Sequence, residues 1–148
     1  MENLEALKVK DGIQYSSILI NSARLYVKLA DDEPEVMDLA PLRLGMYTNM
    51  KSYSPGQMVD YMYAVYYESQ NSSTNYDGYI KRGKGHYVMD ITAYVTRLIN
   101  GTEKNPRGIW VGDPYQNFFS AYSKVALKGV NDPDDPGIWL DLTYTLVK

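Results

Sequence analysis

Hydrophobic and polar residues alternate with a period of two through most of the chain. The clearest alternation runs from Ile138 to Val147, and another runs from Ile18 to Leu29, where Tyr26 falls on the polar face. Successive side chains of a β-strand point to opposite faces of a sheet, so both segments are predicted to be half-buried strands. Further extended segments are predicted at residues 42–47, 58–67, 86–91, 109–111 and 122–130, with a long loop or irregular hairpin over 69–85.

The period changes once, after the extended segment 86–91. Apolar residues then recur at helical spacing, at Ile91, Val95, Leu98 and Ile99. The Thr92 hydroxyl is expected to cap the start of this helix, and Gly101 stands where a left-handed residue ends one. One short amphipathic helix is therefore predicted near Thr92–Asn100.

Seven or eight strands with a single helix predict an all-β fold. No crossover helices separate the strands, so we expect antiparallel pairing in a β-sandwich with jelly-roll-like connections. With 148 residues, the chain falls within the size of one domain and can bury roughly 70% of its unfolded surface. Residues 1–148 are expected to form a single sandwich domain of a larger exported protein.

Composition narrows the range of partners. Tyrosine is abundant, with 15 Tyr against 2 Phe and 2 Trp, which suits strand faces that are part buried and part wet. The net charge of −3 and the scatter of lysine and arginine argue against nucleic acid. The absence of cysteine excludes disulfides and thiolate metal sites. No run of residues is apolar and long enough to predict a membrane-spanning segment.

Three stretches of sequence carry a family resemblance: ILINSARLYV at 18–27, YVMDITAYVTRLINGTEKNPRGIWV at 87–111, and the C-terminal pair YSKVALKGV and IWLDLTYTLV. Together they resemble the C-terminal domain of an uncharacterised family of exported lipoproteins of Gram-negative anaerobes, of the Bacteroidota type. The helix entry is also similar to that of DNRLRE modules, jelly-roll sandwiches that resemble carbohydrate-binding domains. The resemblance implies a place in the cell envelope or outside the cell, as an outer-membrane lipoprotein, and transfers no functional residue.

Catalytic chemistry has little support in the sequence. His86 is the single imidazole, and neither a G-x-S-x-G elbow nor a cysteine nucleophile accompanies it. The 18 acidic residues fall mainly in proline-flanked loops, where a pair of hydrolytic carboxylates is not expected. We expect a protein that is not an enzyme, with a hydrolase as the minor alternative.

The segment 131–137 is a candidate calcium site. It gathers the hard oxygen ligands that Ca²⁺ prefers, from Asn131, Asp132, Asp134 and Asp135. It lacks the spacing of an EF-hand loop, and its two prolines and glycine also suit a solvated turn between strands. No cofactor other than this possible structural Ca²⁺ is expected.

Tyrosines near the middle of the chain form a candidate ligand platform. Tyr61, Tyr63 and Tyr67 share one face of the predicted strand 58–67, and the polar segment after it could add further contacts, from Tyr76, Tyr79, Asn71 and Asn75. Sugars stack on aromatic rings through their C–H faces, whereas ordinary cross-strand packing is the simpler interpretation of such a face. For the two tryptophans, Trp110 and Trp139, the apolar neighbours favour packing in the core or against the sheet.

These patterns predict a non-catalytic structural or interaction module of a bacterial envelope lipoprotein, with a carbohydrate-binding module as the alternative. The partner would be another envelope protein in the first case and a polysaccharide in the second. The two hypotheses differ in one structural feature, because only the second requires a row of exposed aromatic side chains on a sheet.

Overall fold

A computed structural model of the chain describes residues 6–30, 38–48, 56–57, 76–103, 109–112, 126–129 and 134–148. These residues form strands β1 to β9 and one α-helix, α1, with a short 3-10 helix before β7. The bounds are β1 Val9–Lys10, β2 Ile13–Gln14, β3 Ser17–Lys28, β4 Gly45–Thr48, β5 Gly56–Gln57, β6 Asp77–Lys81, the 3-10 helix Arg82–Lys84, β7 His86–Asp90, α1 Thr92–Ile99, β8 Ile109–Gly112 and β9 Ile138–Val147.

The larger sheet has four strands in the order β6-β7-β3-β9, and every neighbouring pair is antiparallel. Strand β3 lies in its interior and pairs with β7 on one side and with β9 on the other. The alternation along β3 places Ala23 and Val27 on the buried face and Arg24 on the exposed face. One face of this sheet therefore contributes to the core, and the other faces solvent.

The second sheet has three strands in the order β5-β4-β8 and shares its core with the first. Met46 on β4, Val27 on β3 and Met89 on β7 are all nearly inaccessible and belong to one hydrophobic cluster. The chain that leads into β4 first pairs with β6, where Leu44 N donates to Gly78 O and Ile80 N donates to Leu42 O. The segment thus passes from one sheet to the other along the core.

Helix α1 follows β7 directly and packs on β3. The prediction that Thr92 caps this helix is wrong, because Thr92 is its first residue and its hydroxyl accepts a hydrogen bond from Ala23 N at 2.9 Å. The adjacent carboxylate of Asp90 accepts from Thr92 N instead, at 3.0 Å. At the other end Gly101 has a φ of +69°, and Thr102 N donates to Arg97 O as in a Schellman motif.

The predicted fold class is confirmed: the chain is an all-β antiparallel sandwich with one short helix. Strand β9 has the predicted bounds, and β3 and α1 end within about a residue of theirs. The predicted strand 58–67 lies outside the described residues, as does most of 122–130, so the jelly-roll connections stay a prediction. None of the helices in the described ranges is long and apolar enough to cross a membrane.

Gly137, which leads into β9, gives a test of this packing. A Cβ atom at this position would overlap the carbonyl groups of Lys128 and Gly129, whereas a Cβ at Gly83 would have no neighbour within 4 Å. We expect Gly137→Ala to lower the free energy of unfolding by about 1–3 kcal/mol, because backbone must shift to accept the methyl group. Gly83→Ala is the control and should change it by less than about 0.5 kcal/mol. Urea unfolding measures both, and equal midpoints for the two variants would contradict the close contact at Gly137.

Candidate functional site

The exposed face of the larger sheet brings together polar and aromatic side chains from three strands. In the register of the sheet, Tyr26 of β3 lies between Val88 of β7 and Trp139 of β9. Two residues earlier along β3, Arg24 lies between two aspartates, Asp90 of β7 and Asp141 of β9. At the other end of the strand, Lys28 lies opposite His86.

Three rings on this face form a cluster, which we call the aromatic cluster: Tyr26, Trp139 and His86. The Tyr26 and Trp139 rings stack with their centroids 4.7 Å apart and an interplanar angle of 5°. The His86 ring meets both at an edge, with its centroid 5.6 Å from Tyr26 and 5.9 Å from Trp139. All three side chains are half-buried, so the cluster is supported by the sheet and still meets solvent.

A hydrogen bond to the neighbouring turn fixes the His86 ring. Its Nδ1 atom lies 3.1 Å from the carbonyl oxygen of Lys84 in the 3-10 helix. Because a carbonyl oxygen only accepts, Nδ1 must donate, and in the neutral ring Nε2 is the remaining acceptor. The bond couples the orientation of the imidazole to the turn between β6 and β7.

A half-open pocket of about 550 Å³ adjoins the aromatic cluster. Strands β3, β6 and β7 and the 3-10 helix form its walls, and Tyr26, Val88 and His86 contribute to its lining. Four cationic side chains also line it, from Arg24, Lys81, Arg82 and Lys84, together with two carboxylates, from Asp77 and Asp90. Such a volume is within the usual range for a small-molecule or sugar site.

Both carboxylates of the pocket already have structural partners. Asp90 accepts the hydrogen bond from Thr92 N at the start of α1. Asp77 forms an ion pair with Lys81 at 2.6 Å and accepts a hydrogen bond from Tyr79 N at 3.2 Å. Asp90 thus contributes to the start of α1, and Asp77 contributes to β6, in addition to lining the pocket.

The predicted tyrosine platform is only partly within the described residues. Tyr61, Tyr63, Tyr67, Asn71 and Asn75 lie outside them. Tyr76 is 2% exposed and donates from its hydroxyl to Leu44 O at 2.9 Å, so its ring belongs to the core and not to a surface platform.

Tyr79, in contrast, is 40% exposed, but a cation covers its ring. The guanidinium carbon of the buried Arg43 lies 4.9 Å from the ring centroid, and Arg43 Nε donates to Asp77 O. This contact holds the segment before β4 against β6. Among the described residues, Tyr79 therefore connects β6 to the segment that precedes β4.

The predicted calcium ligands are also divided. Asn131 and Asp132 lie outside the described residues, and Asp134 is exposed. The carboxylate of Asp135 forms ion pairs with both Lys28 and Lys128. Two ammonium groups thus lie beside the carboxylate that a bound cation would contact. Within the described ranges, no group of three or more acidic or histidine side chains could hold a metal ion.

The two tryptophans differ in their surroundings. Trp139 packs on Tyr26 in the aromatic cluster, which is consistent with the predicted packing against the sheet. Trp110 on β8 is 48% exposed and so is not a core residue. The alternation along β3 placed Tyr26 on the polar face of its strand, but sequence reasoning missed its pairing with Trp139, which depends on the register between β3 and β9.

Searches against protein-family models, curated proteins and solved structures found no match to this chain.

The ion pairs of Asp135 predict a pH dependence of stability. The hydrogen bond from Lys128, and next that from Lys28, lower the pKa of Asp135 from its ordinary value of 3.8. Because the pKa of Asp135 is lower in the folded protein than in the unfolded protein, its ionised form stabilises the fold at pH values above the unfolded-state pKa. This stabilisation is lost as the pH falls through the folded-state pKa. We expect the Tm difference between the unmodified protein and Asp135→Asn to be largest near neutral pH and to shrink below about pH 4.

Asp11→Asn is the control for that measurement, because this exposed carboxylate in the β1–β2 turn has no ion pair within the described ranges. Its Tm difference should stay small at every pH. A difference for Asp135→Asn that is the same at neutral pH and near pH 3 would show that the ion pairs do not contribute.

Proposed function

We propose that this domain is a non-catalytic module that binds a saccharide on the exposed face of its larger sheet. The observation that carries the proposal is the stacked pair of Tyr26 and Trp139, half-exposed beside a pocket of about 550 Å³ whose lining includes charged side chains. Of the two hypotheses that the sequence leaves open, carbohydrate binding is the one that requires exposed aromatic side chains on a sheet.

The chemistry of the site supports a sugar ligand. The C–H face of a pyranose ring packs on an aromatic ring, and its hydroxyl groups need hydrogen-bonding partners at the edge of the contact. The pocket supplies such partners next to the cluster, with donors from Arg24 and Lys84 and an acceptor from Asp90. An apolar platform with polar groups along one side is the combination that a sugar needs.

The state of the ionisable groups supports binding without catalysis. His86 Nδ1 bonds to Lys84 O, Asp77 pairs with Lys81, and Asp90 accepts from Thr92 N. Within the described residues, no hydrogen bond or ion pair joins His86 to either carboxylate, so these contacts assemble no acid–base pair at the pocket.

The proposed place of the module is the bacterial cell envelope, as part of an exported lipoprotein. This part of the proposal depends on the sequence resemblance of residues 18–27 and 87–111. The N-terminus of the complete gene tests it, because a signal peptide that ends in a lipidated cysteine is required.

Replacing Trp139 tests the saccharide site. We expect Trp139→Ala to weaken binding to whichever polysaccharide the unmodified protein retains by about five- to tenfold, since one aromatic stacking contact contributes about 1–1.5 kcal/mol. Affinity gel electrophoresis against a panel of soluble polysaccharides measures the retention. Trp139→Phe keeps an aromatic face and should restore most of it.

Trp110→Ala is the matched control, because Trp110 is an exposed tryptophan on the smaller sheet. It should leave retention unchanged. Thermal melting of each variant separates a lost contact from a lost fold. Equal retention by the Trp139→Ala and Trp110→Ala variants, or no retention of any polysaccharide by the unmodified protein, would leave a structural or protein-interaction module as the better hypothesis.

A further inference from the structure

Cationic side chains outnumber carboxylates in the lining of the pocket beside the aromatic cluster, although the chain is acidic. The whole chain has a net charge of −3, whereas the pocket is lined by four cationic side chains and two carboxylates. A cation that is not paired with a carboxylate attracts anionic groups to the surface around it.

Two of the four cations are already neutralised by partners. Lys81 pairs with Asp77, and Arg82 pairs with Asp38. Arg24 and Lys84 are exposed, and neither forms an ion pair with any residue in the described part of the chain. They are the cations that a ligand could engage without displacing a partner.

The surroundings of Arg24 set the strength of this interaction. Asp90 faces Arg24 from β7 and Asp141 faces it from β9, so the potential around the guanidinium is moderated on both sides. One oxygen of Asp90 is occupied by Thr92 N. Arg24 is therefore suited to bind one anionic substituent of a sugar at a time.

The position of Arg24 relative to the aromatic cluster fits a charged sugar. Arg24 precedes Tyr26 by two residues on the same face of β3, which separates their Cα atoms by about 6–7 Å. A substituent on a sugar that stacks on the cluster comes within reach of a guanidinium at this distance. The planar fork of arginine binds carboxylate and sulfate groups through paired hydrogen bonds.

We infer that the ligand of this site is an anionic saccharide, whose carboxylate or sulfate groups are bound by Arg24 at one end of the pocket and by Lys84 at the other while its ring packs on Tyr26 and Trp139. This inference rests on the proposed function and adds the charge of the ligand to it.

Two pairs of polymers test the inference, each matched in backbone and different in charge. Polygalacturonate is compared with its methyl-esterified form, and dextran sulfate with dextran, so that the first pair tests a carboxylate and the second a sulfate ester. We expect the unmodified protein to bind the charged member of at least one pair about tenfold more tightly than the neutral member. Isothermal titration calorimetry at fixed salt gives the affinities.

Arg24→Gln and Lys84→Gln remove one cation each but keep a hydrogen-bond donor, and each should lower affinity for the charged polymer by about fivefold more than affinity for the neutral polymer. Lys10→Gln is the control, because it removes an exposed cation from the distant hairpin strand β1. It should leave the preference unchanged. Since all three positions are exposed, the variants should melt at the temperature of the unmodified protein.

The outcomes separate the inference from the proposed function. Equal binding to charged and neutral polymers, weakened by Trp139→Ala, would overturn the inference and leave the saccharide site standing. Binding to charged polymers that falls equally in the Lys10→Gln and Arg24→Gln variants would also overturn the inference, because it would show attraction by overall charge alone. Binding to none of the four polymers would count against both.

Discussion

The pairing of strand β3 on both sides is the constraint on which the rest of the molecule depends. Its twelve residues run between β7 and β9, and their alternation divides them between the core and the exposed face of the sheet. A shift of register by one residue would exchange Val27 and Tyr26, placing an apolar side chain in solvent and a phenol in the core. The hydrophobic requirement of the core therefore also fixes the position of the aromatic cluster.

An irregularity in the same strand connects the sheet to the helix. The register between β3 and β9 shifts between Ile20 and Ser22, and just beyond it Ala23 exchanges hydrogen bonds with the start of α1. Ala23 N donates to the Thr92 hydroxyl, and Ile91 N donates to Ala23 O. Since Asp90 both lines the pocket and accepts from Thr92 N, the wall of the site and the docking of the helix share one structural unit.

The periodicity of hydrophobic residues was sufficient to predict the strands and the helix that have one buried and one exposed face. It did not predict which of these elements contact one another. The sequence of β9 alternates without interruption, so its bounds were predictable, although its burial pattern breaks where Leu140 and Asp141 are both exposed. Gly101 ends the helix through its positive φ. Thr92 has the sequence signature of a cap, but a partner 69 positions away takes its hydroxyl. Tyr76 lies in the core for a similar reason, since the acceptor of its hydroxyl is the distant Leu44 carbonyl. The stacking of Tyr26 on Trp139 joins two distant strands, and only the register between them brings these residues together.

Backbone hydrogen bonds and ion pairs at the start of β9 hold the site in place. Lys28 N donates to Gly137 O, and Gly137 N donates to Gly129 O, so the chain two residues before Trp139 is held between β3 and segment 126–129. Asp135 adds ion pairs to Lys28 and Lys128 on the same two partners. The Trp139 side chain can stack on Tyr26 only if β9 starts in this register. The ion pairs of Asp135 thus contribute to positioning the aromatic cluster, because they lie at the start of the strand that carries Trp139, one of its three rings.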